Sequence, residues 1–260
     1  MIDQRVVIFG HARSGSTALF WALHMHPLMQ MILEPFHESR ETWAGSHKNY
    51  RKNIASADDL KNALNEIYRN HTGFKTLCYQ LPRKLNEILL SETREQDRII
   101  FIHRKNVLQA AVSLWISLQS NLWNVVEAIP EIGDNGAMHN ALKQHHFGPI
   151  DPQLLVQSMV VFKRTKIHYQ NFLFENKKMF LTVAYEELFL ESQPERQRQI
   201  KKVYDFLGLF VPQREALKKI EDLFTPKHKM NNVNTYRLIP NIDVIEKMLG
   251  NAENGYLFSH

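Results

Sequence analysis

The sequence predicts an α/β fold in which a P-loop-like parallel sheet is flanked by helices on both faces. Short apolar segments alternate along the chain with longer segments of helical period, an order typical of parallel sheets with crossover helices. The segment 98–103, RIIFIH, has four consecutive apolar residues and indicates a strand buried on both faces. An apolar segment at 5–9 stops at Gly10 and passes through a short polar loop into a helical pattern, as nucleotide-binding sheets of this class do.

Local signals predict the remaining elements. Further strands are expected at 28–33, where Pro35 stops the segment, at 74–79 and at 179–184. Helices are expected at 18–25, 59–70, 82–90, 107–119, 151–175 and 195–207. Asp151 and Pro152 suit the start of the longest helix, and Gly208 suits the end of the last. The segment 123–150 has no sustained period and is long for a connection, which predicts a lid or substrate loop.

Composition restricts the class of protein. The chain has 260 residues, 44% of them hydrophobic, and no internal repeat, so we expect a single domain over 1–260. Cys78 is the one cysteine, so an internal disulfide is excluded. Because the sequence also has no apolar run of membrane-spanning length and no leader-like pattern, we expect a cytoplasmic location. The net charge of +5 fits an anionic ligand, but 27 acidic residues are interspersed, so no nucleic-acid partner is expected. The oligomeric state stays open.

The loop after the first strand is the strongest functional signal. Gly10, Gly15 and Thr17 are in register with the Walker A pattern G-x-x-x-x-G-K-[ST], but Ser16 stands where the lysine should be. The loop carries Arg13 instead. A loop of this kind aims backbone N–H groups and a helix N-terminus at one point, which suits an anion. The sequence therefore predicts a phosphate-binding loop that does not belong to an ordinary nucleoside triphosphatase.

Charged residues also follow or lie in the other predicted strands. Glu34 comes at the end of the second strand, Lys75 lies in the third, and Arg104 follows segment 98–103. Right-handed crossovers place the ends of successive parallel strands at one edge of the sheet, so these residues are expected near Arg13. Because Lys75 shares a strand face with Leu77, its ammonium is expected among apolar side chains.

Two segments together resemble the sulfotransferase family, which uses 3′-phosphoadenosine-5′-phosphosulfate (PAPS). RSGST at 13–17 is similar to the family's 5′-phosphosulfate loop. RKN at 104–106, with Ser113 in the next helix, is similar to its 3′-phosphate segment. YEEL at 185–188, EPF at 34–36 and GFK at 73–75 are similar to other recurrent stretches, the last two to those of bacterial and carbohydrate-type members. The matching pieces are spread over about residues 5–210.

The resemblance implies which residues hold the co-substrate. The loop would bind the 5′-phosphosulfate through Arg13, Ser14, Gly15, Ser16 and Thr17. The 3′-phosphate would be held by Ser113 and by Arg104 or Lys105. The family's spacing of eight residues before the serine gives Lys105, whereas the guanidinium fork of Arg104 matches a phosphate better, and Arg104 is preferred. The late Arg-Lys-Gly loop of cytosolic members is absent, and KHK at 227–229 is only a loose substitute.

The implied reaction is in-line transfer of a sulfuryl group from PAPS to a hydroxyl of a saccharide, glycolipid or small metabolite. No metal is expected, because a sulfuryl group carries less charge than a γ-phosphoryl group and no strand ends in an obvious Walker B aspartate. Glu34 is the expected general base, with His37 and Glu38 as substitutes. Arg13 and Lys75 are expected to stabilise the developing charge.

Two other functions stay open from the sequence. A P-loop kinase of a small molecule would share the fold but would need ATP, Mg²⁺ and the missing loop lysine. A non-catalytic nucleotide or polyanion binder would keep the fold and bind without turnover.

Overall fold

A computed structural model of the chain describes residues 4–38, 50–123, 135–225 and 231–258. Five parallel strands form one sheet in the order β2-β3-β1-β4-β5. The strands are β1 (Val6–Gly10), β2 (Met31–Leu33), β3 (Gly73–Leu77), β4 (Arg98–His103) and β5 (Phe180–Ala184). The predicted fold class is confirmed, and β4 has the bounds that its apolar run predicts.

Helices cover both faces of the sheet. They are α1 (Ser16–His24), α2 (Ala57–Asn70), α3 (Arg83–Ser91), α4 (Val107–Ser120), α5 (Asn135–Gln144), α6 (Pro152–Glu175), α7 (Tyr185–Leu188), α8 (Gln193–Phe206), α9 (Arg214–Leu223), α10 (Val233–Tyr236) and α11 (Ile242–Leu249). Side chains of α1, α8 and α9 pack on one face, and those of α2, α3 and α6 on the other. No helix in the described ranges is long and apolar enough to cross a membrane.

The structure shortens the strand predicted at 28–33 to its last three residues, and it differs from the sequence prediction in two longer segments. The segment 123–150 contains α5, so it is not irregular throughout; residues 124–134 lie outside the described ranges, and the lid stays a prediction. After residue 208 the described residues form three further helices, of which α10 and α11 pack with α4, α5 and α6 in a third core cluster. This packing carries the C-terminal part of the chain to the edge of the sheet where the strands end.

Strand register sets the geometry of that edge. Gly10 at the end of β1 pairs with Leu77 of β3 and with Ile102 of β4. A Cβ atom on Gly10 would collide with the Ile102 carbonyl oxygen, so the central strands can pair this closely only with glycine there. Since all five strands are parallel, their C-terminal ends face the loop between β1 and α1.

Candidate anion-binding and catalytic site

The loop between β1 and α1 presents a helix N-terminus that no side chain caps. Arg13 and Gly15 both adopt left-handed backbone conformations, with φ of 63° and 79°, and Gly15 precedes the first helical residue, Ser16. The first N–H groups of a helix need partners from outside it, and here they are available to an anion. The hydroxyl of Ser14 donates to the His11 carbonyl at 2.6 Å, so it braces the loop from within.

Arg13 and Arg104 lie side by side on the α4 side of this loop. The Arg13 Nε donates to Ser113 Oγ at 2.9 Å, and Arg104 Nη1 approaches the Arg13 carbonyl at 3.4 Å. Arg104 also stacks over the Tyr185 ring, 4.2 Å from its centre. Burial, followed by repulsion from Arg104, lowers the pKa of Arg13 to about 10. Two neighbouring cations in a buried setting are stabilised by an anion that contacts both.

Ser113 is a hydrogen-bond donor held ready in this cluster. Its Oγ accepts from Arg13 at 2.9 Å and from Asn231 Nδ2 at 2.7 Å. A hydroxyl has two lone pairs and one hydrogen, so with the Asn231 amide in this orientation both lone pairs are occupied and the hydrogen is left to donate. No acceptor for that hydrogen is found among the residues that the structure describes. The cluster thus brings together two guanidinium groups, which also bond the Trp123 carbonyl and the Gln109 side chain, and one hydroxyl.

The structure separates the two candidates for the 3′-phosphate. The Arg104 side chain is only 8% exposed and lies in the cluster, where its Nε is 3.9 Å from Glu186. The Lys105 side chain is 57% exposed and pairs with Glu187 at 2.8 Å. The backbone N–H of Lys105 donates to Glu186 at 2.9 Å, so α7 anchors the turn between β4 and α4. The two candidates thus differ in position: Arg104 is buried in the cluster, and Lys105 is exposed outside it.

A second cluster joins the ends of β2 and β3 to the loop. The ammonium of Lys75 forms a buried ion pair with Glu34 and donates to Thr17 Oγ1 at 3.2 Å. The expected burial of Lys75 is confirmed, since the residue is 1% exposed, but its ammonium meets a carboxylate and a hydroxyl that the sequence did not predict as partners. The reason is strand order: β2 pairs directly with β3, with Leu33 opposite Lys75, so Glu34, the residue after β2, reaches the lysine. Glu34 itself has a positive φ of 49°.

The alternative bases lie in less enclosed positions. The Glu38 side chain is 79% exposed and is 3.6 Å from Arg51, and His37 is half-buried. Glu34 is 5% exposed, and its carboxylate also accepts from Gln80 Nε2 at 2.8 Å. Glu34 is thus a buried carboxylate that the side chains of Lys75 and Gln80 hold beside the loop.

A cavity of about 130 Å³ opens next to the loop, between the ends of β1 and β4 and the helices α4 and α6. His11, His103 and Lys166 line it together with Phe162. Burial and the neighbouring His103 lower the pKa of His11 to about 4, and burial lowers the pKa of His103. Both imidazoles are therefore neutral at pH 7, and the cavity offers a mixed polar and apolar wall beside the anion site.

Sequence reasoning missed two residues of the site. Asn231 contacts Ser113 from a segment of the chain that shows little periodicity. The only sequence signal for a site residue in this segment was the loose KHK substitute at 227–229, which lies outside the described ranges. Gln80 contacts Glu34 from the turn after β3, where nothing in the sequence singles it out. No cluster of three or more metal-ligating side chains occurs in the described parts of the chain.

Comparison with known proteins gives a loose likeness to solved structures that include two sulfotransferases. No model of a known family matches the chain, and no curated protein matches it. A mouse sulfotransferase, SULT7A1 complexed with PAP, aligns at 17% identity and a TM-score of 0.40, over 85% of this chain and 64% of that one. A sulfotransferase from Alicyclobacillus acidocaldarius aligns at 13% identity and a TM-score of 0.44, over 86% and 92%. At these values neither likeness decides a function, which must be argued from the side chains of this protein.

Proposed function

We propose that this protein is a sulfotransferase that moves the sulfuryl group of PAPS to a hydroxyl of a saccharide, glycolipid or small metabolite. The observation that carries the proposal is the pairing of two anion sites at one edge of the sheet. One is the uncapped start of α1, and the other is the cluster of Arg13, Arg104 and Ser113. PAPS has two separate anionic ends, a 5′-phosphosulfate and a 3′-phosphate, and so suits two such sites.

The residues present fit both ends of this co-substrate. The free hydrogen of Ser113 and the guanidinium of Arg104 are donors suited to the 3′-phosphate, and charge-assisted bonds of this type are strong. The N–H groups of the loop, from Ser14 to Thr17, would receive the 5′ end. Arg13 belongs to the loop by sequence and to the 3′ cluster by its side chain, so it would serve both ends.

The second cluster supplies the chemistry of transfer. Glu34 would take the proton of the acceptor hydroxyl, because it is a buried carboxylate beside the loop. Lys75 and Arg13 would stabilise the negative charge that develops on the transferred group and on the leaving oxygen. The cavity lined by His11 and His103 opens at the same edge of the sheet.

One contact supports transfer without a metal. In Walker-type enzymes the hydroxyl at the position of Thr17 is a ligand of Mg²⁺. Here that hydroxyl accepts a hydrogen bond from the ammonium of Lys75, at 3.2 Å. A side-chain cation thus contacts the hydroxyl that a kinase would use as a metal ligand, and Ser16 replaces the lysine that a kinase would need.

Thermal unfolding with nucleotides tests the choice of co-substrate. Adenosine 3′,5′-bisphosphate without Mg²⁺ should raise Tm, because a ligand at 100 times its Kd stabilises the folded state by about 2.7 kcal/mol. For a chain of this size that corresponds to about 5–10 °C. Ser113→Ala should reduce the shift, whereas Ser117→Ala is the matched control: its hydroxyl bonds the Ser113 carbonyl one turn away.

The alternatives predict different outcomes. A larger shift with ATP and Mg²⁺ than with the bisphosphate would replace the sulfotransferase by a kinase. An acceptor screen with sulfur-labelled PAPS then tests turnover. Tight binding of the bisphosphate with no transfer to any saccharide, glycolipid or metabolite hydroxyl would leave a nucleotide binder without catalysis.

A further inference from the structure

Gln80 is a buried amide whose polar atoms all meet partners at the site. It is 3% exposed and lies in the turn between β3 and α3. Its Oε1 accepts from the Leu77 backbone N–H at 3.0 Å and from the Thr76 hydroxyl at 2.9 Å. Its own backbone N–H donates to the Leu77 carbonyl at 2.9 Å, so side chain and backbone close the same turn. A residue held in this way has little freedom to rotate.

These bonds also fix which end of the amide faces Glu34. A backbone N–H can only donate, so the atom opposite Leu77 must be the amide oxygen. The amide nitrogen is then the atom that lies 2.8 Å from Glu34 Oε2. Gln80 therefore acts as a hydrogen-bond donor to this carboxylate, and the assignment does not depend on a free choice of amide orientation.

The two partners of Glu34 differ in what they do during a reaction. Lys75 binds one carboxylate oxygen and also reaches Thr17 of the loop, so it is shared with the anion site. A lysine that moves toward a bound anion leaves Glu34 with less support. Gln80 binds the other oxygen, carries no charge and is fixed to β3. It can hold the carboxylate in place without neutralising it.

We infer that Gln80 is a positioning residue that keeps Glu34 ionised and oriented as the general base, an inference that rests on the proposed function. Lys75 and Gln80 bind different oxygens of the carboxylate, so Gln80 fixes its orientation independently of the ion pair. A hydrogen bond donated to the charged form favours that form, so Gln80 extends the pH range over which Glu34 can accept a proton.

Two substitutions of similar size separate this role from simple packing. Gln80→Met removes the donor; kcat should fall by about 10- to 100-fold, and the acid limb of the pH–rate profile should move up by about one pH unit. Gln80→Glu keeps the shape but places a second carboxyl against Glu34, so the limb should move further, since two adjacent carboxyls cannot both ionise easily. Affinity for adenosine 3′,5′-bisphosphate should stay within about two-fold in both variants.

Asn86→Leu is the matched control. Asn86 is also a fully buried amide, it bonds the Cys78 and Leu81 carbonyls, and it lies on α3 just after the same turn. Its removal should lower stability without moving the acid limb. The inference is overturned if the acid limb of the pH–rate profile does not move in Gln80→Met, or if it moves equally in Asn86→Leu. A wild-type pH–rate profile in Gln80→Glu would also overturn it.

A titration that needs no turnover separates this inference from the proposed function. The carboxyl ¹³C signal of Glu34, assigned by its loss in Glu34→Gln, reports protonation of that group directly. If the wild-type protein fails to bind the bisphosphate, the sulfotransferase proposal falls, and this titration still decides the role of Gln80. A higher midpoint in Gln80→Met upholds control of Glu34 by Gln80, and an unchanged midpoint refutes it.

Discussion

Breaking the ion pair between Glu34 and Lys75 should destabilise the fold as well as impair chemistry. Both side chains are almost fully buried, at 3% and 2% exposure, so neither charge can turn to water when its partner is lost. Glu34→Gln leaves the ammonium of Lys75 buried with the hydroxyl of Thr17 and no carboxylate at position 34. The perturbation therefore strands a charge in addition to removing a base.

The size of the effect follows from this burial. Removing one partner of a buried pair typically costs about 3–5 kcal/mol, whereas exposed pairs contribute about 0–1 kcal/mol. In a chain of this length such a loss lowers Tm by about 6–20 °C. Lys75→Met should cost a similar amount, because it leaves the carboxylate with Gln80 in a buried position. The double variant Glu34→Gln, Lys75→Met should be more stable than the two single losses predict, because no stranded charge is left.

Urea unfolding of the four proteins in a double-mutant cycle measures the coupling. The buried pair is refuted if each single substitution lowers the free energy of unfolding by less than about 1 kcal/mol and the two losses add to within about 0.5 kcal/mol in the double variant. At a temperature where all variants are folded, Glu34→Gln should lower kcat by about 10²–10⁴-fold and leave donor affinity nearly unchanged. Near-normal turnover would move the base to His37 or Glu38.

Two further predictions concern the nucleotide contacts and the effect of pH. By calorimetric titration, Arg104→Ala should weaken binding of adenosine 3′,5′-bisphosphate by about 10- to 150-fold, as expected for a lost charge-assisted bond, and affect adenosine 5′-phosphate much less. Lys105→Ala should change the affinity for either nucleotide by less than about three-fold. If Lys105→Ala weakens binding of the bisphosphate more than Arg104→Ala does, the 3′-phosphate is held by Lys105. The pKa of His11 lies below its ordinary value, so the folded protein binds fewer protons than the unfolded chain between about pH 4 and 6.5. Unfolding free energy should thus fall by up to about 1.4 kcal/mol per unit as pH drops through that window, and less steeply in His11→Gln, as denaturant titrations at several pH values would reveal.

Short-range sequence signals predict much of the architecture. The apolar run at 98–103 becomes β4 with the same bounds, because four consecutive large apolar side chains are best buried in a central strand. Ser56 forms a capping box with Asp59 at the start of α2, and Asp151 caps α6. These signals depend on neighbours within a few residues. The same holds for the loop after β1, where the glycine spacing predicts a sharp turn into a helix.

Tertiary structure alone decides which side chains meet. Glu34 reaches Lys75 because β2 pairs with β3, although the sequence alone leaves strand order open. Arg13 turns its side chain toward Ser113, one hundred residues away in sequence, and Asn231 reaches the same hydroxyl across 118 residues. Such contacts arise from the packing of α4, α6 and the C-terminal helices, and no local period encodes them. Sequence determined the elements because propensity and burial pattern act over a few residues, whereas the site was decided by long-range packing that brings distant charges into one buried volume.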